Sequence, residues 1–399
     1  MICLKVVKYV SKMNQNKIYL DNAAATQIDN IVKKEMQHYE DTYFNPSSFH
    51  DLGSEAKKIL EDSRERISKL LNASSHEIVF TSGGTESINF AIKGVAFANR
   101  QKGNHIITTK IEHHAVLNTC KYLEKQGFKI TYLDVDKYGL INLDSLKKAI
   151  TKETILISII YANNEIGTIQ NIPEIGKIAQ ENNLIFHTDG CQAFLLDLNV
   201  KKLNVSLLSL NSSKMHGPKG AGLLYVKKGT RIDPLIHGGE QEFNLRSGTE
   251  NLSAIVGFAK ALEISQENKE ETIIHLTKLR DKLINNLLKI HDSRLNGHPT
   301  LRLPNTVNIS IKGLESETLI LHLNDSGIFV SSGSACSSHK IGTSHVIKAL
   351  NIPDDYARGT LRFSLSKYNT EEEIDFVSKI LDELVVKLKN HVKIIEVKK

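Results

Sequence analysis

The sequence predicts an α/β protein: a mostly parallel central sheet covered by helices, with a smaller α+β domain attached. From about residue 77 to 226, short apolar runs alternate with stretches of helical periodicity, the pattern of parallel strands joined by crossover helices. Thr154 to Tyr161 is almost continuously apolar, as a strand buried on both faces should be. After about residue 265 this alternation stops.

The elements follow in order. Glu77-Ile78-Val79-Phe80 predicts a strand and Thr81-Ser82-Gly83-Gly84 a turn. Ile88, Ala91, Ile92 and Val95 then recur at helical spacing. His105 to Thr109 predicts a second strand, followed by a helix from about Ala115. Phe128 to Leu133, Leu184 to Thr188 and Val205 to Leu210 repeat the theme. The charged stretch Gln266 to Glu271 marks a boundary. Beyond it Ile273, Leu276, Leu279, Leu283 and Leu287 form a helical stripe. Val307 to Ile311 alternates, which predicts a strand with one face exposed. Thr370 and Glu373 form a capping-box signature ahead of Phe376, Val377 and Ile380. The expected division is a large domain over 25–265. A small discontinuous domain takes 1–24 and 266–399, and the strand around Ile18-Tyr19-Leu20 joins it.

The composition is that of a soluble globular chain: 399 residues, 40% hydrophobic and 24% charged. A net charge of +6 is small for this length. It allows contact with RNA or an acidic protein but requires neither, and no stable nucleic-acid binding is expected. Cys3, Cys120, Cys191 and Cys336 include no CxxC pair, so a cytoplasmic, reducing compartment is expected. Met1 to Val10 is too short to span a bilayer, and no membrane contact is expected. Met13 is a second candidate start. No His/Cys cluster has zinc-ligand spacing, so no intrinsic metal is expected.

Lys214, in Ser212-Ser213-Lys214-Met215-His216-Gly217-Pro218, and Cys336, among Ser331, Ser332, Gly333, Ser334, Ser337 and Ser338, are the main candidates for chemistry. A loop lysine can condense with an aldehyde cofactor, and a cysteine among small polar residues can attack as a thiolate. Together they point to sulfur chemistry on an amino acid held by pyridoxal 5′-phosphate (PLP). Asp189 ends a strand 25 residues before Lys214. It reads as a helix cap or as the acidic partner of a pyridine nitrogen. Thr81 to Ser87 links a strand to a helix, where free N–H groups can meet a phosphate. His113 opens a helix and reads as a cap, or as a ring that stacks on a cofactor and moves protons. Asn163-Asn164-Glu165 reads first as an Asx-type turn. Cys120 and Cys191 read as packing residues.

These residues resemble the cysteine desulfurases of the NifS/IscS type, over about Ile18 to Leu384. The matching segments are Tyr19 to Thr26, Asn45-Pro46-Ser47-Ser48, Thr81 to Ser87, Glu112-His113 and Asn163 to Gly167. Asp189 with Gln192, Gly217 to Gly220, Arg246-Ser247-Gly248-Thr249, Ser331 to Cys336 and Arg362-Phe363-Ser364 complete them. The resemblance implies fold type I of the PLP-dependent transferases (aspartate aminotransferase-like) and a homodimer. It implies that Lys214 holds PLP, Asp189 pairs with the pyridine nitrogen, Gln192 bonds the ring oxygen and His113 stacks on the ring. Gly84 and Thr85 would serve the phosphate, and Thr249 would reach the phosphate of the other subunit. Asn164 and Arg362 would hold the substrate carboxylate. The Cys336 loop resembles the long group I type. The family shows Ser-x-His before the lysine, whereas this chain has Asn211-Ser212-Ser213. Asn211 and Ser213 would then be the substitute cofactor contacts, with weaker PLP retention expected.

The implied reaction converts L-cysteine to L-alanine and leaves persulfide sulfur on Cys336. That sulfur would pass to an iron–sulfur scaffold protein or another acceptor, such as a tRNA or cofactor thiolation pathway, with Cys336 a transient cluster ligand. Selenocysteine lyase, or a poorly active PLP-binding sulfur-pathway partner, are the alternative readings.

Overall fold

The computed structural model describes residues 17–333 and 343–397, with side chains through residue 390. Cys336 and Cys3 lie outside the described residues. The first strand is β1 (Ile18–Tyr19). The central sheet takes β2 (Ile78–Thr81), β3 (His105–Thr109), β4 (Lys129–Leu133), β5 (Thr154–Ile160), β6 (Ile185–Asp189), β7 (Leu207–Asn211) and β8 (Gly222–Val226). Their order is β2-β8-β7-β6-β5-β3-β4. All neighbours pair parallel except β8, which is antiparallel to both β2 and β7. Every residue of β5 is buried, as its apolar run requires. The α/β class predicted from the alternation is therefore the observed one.

β8 was not foreseen. Its run Gly-Leu-Leu-Tyr-Val looks the same whichever way it crosses a sheet, so only pairing reveals it. It inserts between β2 and β7 and keeps β2 in the common direction. Consequently the carboxyl ends of β2, β3, β5, β6 and β7 share one edge, where ligands of such sheets bind.

The rest of the sheet structure is small. Strands β9 (Ser293–Leu295), β10 (Thr306–Ile311) and β12 (Thr360–Ser364) form an antiparallel sheet in the order β12-β10-β9. Strand β11 (Ile328–Phe329) pairs parallel with β1, in register Ile18 with Ile328 and Tyr19 with Phe329. The expectation of an exposed face on β10 is wrong: all six residues are buried. Its polar side chains are used internally. Asn296 Nδ2 donates to Asn308 Oδ1 at 2.8 Å and to Ser310 Oγ at 2.7 Å, and Asn308 Nδ2 donates to the Glu165 carbonyl at 3.1 Å. Buried polar groups are tolerated when they are paired like this.

The helices follow their caps and stripes. Thr370 Oγ1 accepts from Glu373 N, and Glu373 Oε2 from Thr370 N, so the capping box opens the Glu371–Val397 helix. Leu276, Leu279, Leu283 and Leu287 are the buried face of the Lys269–Leu287 helix. That helix follows the Leu252–Glu267 helix after Asn268 alone.

One buried ion pair ties the helical layer to the sheet. Arg64 Nη1 and Nη2 each lie 2.7 Å from a Glu242 oxygen, and Glu242 Oε2 also accepts from Phe80 N at 2.7 Å. Glu242, Phe243 and Asn244 all have left-handed backbone, with φ of 47, 60 and 62°. Such residues persist only where their surroundings over-determine them. Glu242→Ala leaves a buried guanidinium without its main partner. It should destabilise the fold by about 3 kcal/mol in urea unfolding, whereas a surface control such as Glu65→Ala should change it little.

Candidate active site

Five strand ends meet at a cavity of about 270 Å³. Lys214, Asp189, Gln192, His113, Gly84, Thr85, Asn164, Asn211 and Arg362 all line it. Ser213 and Thr249 are not among its lining residues. Glu165, Cys191 and His345 also line it, without having been singled out as site residues. His345 carries no motif. Glu165 and Cys191 sit inside motifs whose other members draw the attention.

Lys214 ends a single 3₁₀ turn, Ser212–Lys214, that follows β7. Its Nζ donates to the Ala24 carbonyl at 2.5 Å. The turn is held from the N-terminal side. Thr26 N and Oγ1 both donate to the Ser213 carbonyl, and Thr26 Oγ1 accepts from His216 N at 2.8 Å. His216 has φ 62°, an uncommon conformation for a side-chain-bearing residue.

Asp189 is buried at the end of β6, and one of its oxygens accepts from Cys191 N at 3.0 Å. Gln192 Nε2 donates to the Ala23 carbonyl at 3.0 Å. His113 caps its helix by accepting from Ala115 N at Nδ1, 3.1 Å away. An N–H can only donate, so this contact leaves the proton on Nε2. Burial lowers the His113 pKa, as do the charges of His114 and Lys214, against the pull of Asp189. Asn163 forms the Asx turn expected of it, its Oδ1 accepting from Glu165 N and Ile166 N. This turn sets Asn164 at the cavity wall.

Arg362 is buried on β12. Its Nη1 donates to the carbonyls of Asn164 and Gly333, and its Nη2 to Asp21 Oδ1 at 2.6 Å. Its Nε has no partner among the described residues. Glu165 Oε2 accepts from Ser344 Oγ at 2.6 Å, and burial raises the Glu165 pKa. Burial raises that of Glu112 to about 8.

The residues fit PLP. A lysine amine, a buried carboxylate and an open helix N-terminus suit an aldehyde, a pyridine nitrogen and a phosphate. The helix N-terminus at that end needs glycine. A methyl at Gly84 would fall 2.6 Å from Cys191 Sγ and 3.4 Å from Asn211 Cβ. No group of His, Cys, Asp and Glu among the described residues could hold a metal ion. No described helix is long and apolar enough to cross a membrane.

Residues 18–377 match the model of the aminotransferase class-V family, and the chain belongs to that family. Within it the chain falls among the cysteine desulfurases of the NifS/IscS type. It is 51% identical over 379 residues to "Cysteine desulfurase IscS" of Methanosarcina thermophila, covering 94% of each chain. It is 49% identical to the protein of that name from Dictyoglomus turgidum, over 94% of this chain and 96% of the other. A solved "NifS-like protein" superposes with a TM-score of 0.88 at 41% identity, covering 93% of this chain and all of that one. A structure titled "SspA in complex with cysteine" gives 0.78 at 36% identity, covering 89% of this chain and all of that one.

Beneath the site, His187 bridges Ser158 Oγ at 2.9 Å and Ser209 Oγ at 3.0 Å. Burial pushes its pKa down to about 4, against a smaller upward pull from Asp189. The unfolded chain takes up this proton near pH 6.5, and the folded chain only near 4. Its contribution to stability is therefore complete above about 6.5 and falls as pH drops toward 4, by on the order of 3 kcal/mol. His187→Gln should remove that share of acid sensitivity, read from urea unfolding at pH 7 and pH 4.5. Equal losses in both proteins would refute it.

Proposed function

We propose that this PLP-dependent L-cysteine desulfurase divides its chemistry among residues 84–362 of one cavity and Cys336. The convergence of Lys214, Asp189, His113 and Arg362 on a single cavity carries this reading. When bound, PLP supplies an electron sink conjugated to the substrate Cα.

Lys214 Nζ is the attachment point for the cofactor's aldehyde and the base that moves the Cα proton. Asp189 holds a proton on the pyridine nitrogen, and Gln192 donates to the ring oxygen. Gly84, Thr85 and Asn211 take the phosphate. His113, with its proton on Nε2, would pack on the ring and offer that N–H as a hydrogen-bond donor inside the cavity. Arg362 and Asn164 hold the substrate carboxylate, and Arg362 Nε, without a partner among the described residues, is a donor suited to it. Cys336 thiolate attacks the substrate sulfur: an S–S bond forms, the C–S bond breaks, and its electron pair stays on carbon. The resulting persulfide passes to an iron–sulfur scaffold protein or another sulfur acceptor.

A second copy of the chain completes the site. Thr249 does not line the cavity of its own subunit, and it serves the phosphate across the interface. Tyr43 and Phe49, on either side of Asn45-Pro46, are 86% and 105% exposed, an unusual state for aromatic side chains. The homodimer covers them.

Borohydride reduction of the holoenzyme followed by peptide mapping should place the pyridoxyl group on Lys214. A label on Lys219 would overturn the assignment. Cys336→Ser should keep the cofactor absorbance and bind cysteine, yet lose both persulfide and alanine. Cys120→Ser and Cys191→Ser should keep both products. Extra sulfur found by mass spectrometry on Cys120 or Cys191 after one turnover would refute the role of Cys336.

A further inference from the structure

Glu165 is 2% exposed, and its backbone is fixed on both sides. Its N–H donates to Asn163 Oδ1 at 2.9 Å, and its carbonyl accepts from Asn308 Nδ2 at 3.1 Å. One carboxyl oxygen, Oε2, meets two segments that are distant in sequence. Ser344 Oγ donates to it at 2.6 Å. A Cβ built on Gly333 would lie 2.8 Å from the same oxygen and 3.4 Å from Glu165 Cδ. The carboxyl therefore fills the space that a side chain at 333 would take. Gly333 has φ 105°, a conformation that glycine adopts without strain.

Gly333 and Ser344 flank Cys336, three residues before it and eight after it. Each flank has anchors of its own. Arg362 Nη1 donates to the Gly333 carbonyl at 3.1 Å, and Gly333 N donates to Ser331 Oγ at 3.2 Å. Ser344 Oγ accepts from Val346 N at 3.1 Å and caps the His345–Ala349 helix. His345 Nε2 donates to the Glu112 carbonyl at 2.9 Å. Each of these anchors holds one flank, whereas Glu165 holds both. Glu165, Gly333 and His345 line the same cavity as Lys214, yet no step of the reaction above uses Glu165.

We propose that Glu165 is a positioning residue: it ties the two flanks of Cys336 to one point of the cavity wall, and sulfur transfer to that cysteine depends on this tie. The proposal rests on the reading of Cys336 as the sulfur acceptor. The task needs an acceptor for the Ser344 hydroxyl and a flat group that packs on a bare Cα, and a carboxyl supplies both. The turn that sets Asn164 at the cavity wall sets Glu165 there too, so the substrate's carboxylate and the flanks of its sulfur acceptor are referred to one short segment.

The test uses the holoenzyme and compares two reactions of one site. Desulfuration of L-cysteine needs Cys336. Exchange of the L-alanine Cα proton with deuterated solvent needs the cofactor and Lys214, but alanine offers Cys336 no sulfur. Glu165→Ala should slow single-turnover persulfide formation on Cys336 at least about tenfold, since a misplacement of about 1 Å can cost on the order of 100-fold. Its alanine exchange and its cofactor absorbance should stay within about twofold of wild type. Glu165→Gln keeps an acceptor and the same bulk, and should retain at least about half of the persulfide rate. Ser344→Ala should slow persulfide formation as well, and should add nothing in a Glu165→Ala background. Equal losses in the two reactions would overturn the proposal, because they would mark a general role in the cavity or the fold. Glu165→Gln as slow as Glu165→Ala would overturn it too. Wild type that leaves its persulfide on another cysteine would refute the Cys336 assignment, and this proposal with it. Wild type that carries persulfide on Cys336, with Glu165→Ala unaltered, would refute this proposal alone.

Discussion

The stretch from Leu20 to Asp29 is the constraint on which the rest of the site depends. Its ten residues touch both the lysine turn and the arginine strand. Asp21 Oδ1 accepts from Arg362 at 2.6 Å. Asn22 Nδ2 and Ala23 N donate to Ser364, at the end of β12. The carbonyls of Ala23 and Ala24 accept from Gln192 and Lys214. Thr26 brackets the lysine turn through Ser213 and His216, and Asp29 N donates to the His216 carbonyl. Asp29 then reaches back to Lys367 at 2.6 Å and the Tyr368 hydroxyl at 2.7 Å. Burial works against the Asp29 carboxylate, but those two hydrogen bonds with that of Ile31 N hold its pKa at about 2. The spacing of Arg362 and Lys214 is thus set by one short segment that turns at Asp21–Ala24.

Much of this was legible in the sequence, for identifiable reasons. Alternating apolar runs reveal the strands, and polar residues that follow such runs mark the functional edge of a parallel sheet. Lys214, His113 and Asn164 each follow a strand closely and Asp189 ends one, so the order of elements alone places them on one edge. Gly84 was legible as part of a turn. The reason no other residue fits there is Cys191 Sγ, which would stand 2.6 Å from any Cβ at that position. That sulfur lies 107 residues further along the chain.

What escaped the sequence is what depends on partners far away in the chain. Asp21 and Arg362 are separated by 341 positions, and neither residue type advertises the other. Polar alternation on β10 looked like a solvent face because sequence periodicity cannot distinguish water from a buried partner such as Asn296. Ser213 was expected at the cofactor because of its place before the lysine. Its hydroxyl and amide face Asn211 Oδ1 at 3.3 Å within the tight turn.

Burial also decides how an acidic wall can accept anions. Glu165 lines the cavity, and Glu112 lies beneath it, bonded to Thr109 and Ile160 N. Ionised, both would repel a phosphate and a substrate carboxylate brought into the same space. Desolvation raises both pKa values, that of Glu112 to about 8, because burial disfavours the charged form. Desolvation acts in the opposite sense on His113, depressing its pKa and favouring a neutral ring. A carboxylate that arrives at Arg362 must compete with Asp21 for the guanidinium. It can do so without displacing Asp21 outright, because Nε is a buried donor with no hydrogen-bond partner among the described residues, and satisfying it recovers a desolvation cost already incurred in folding.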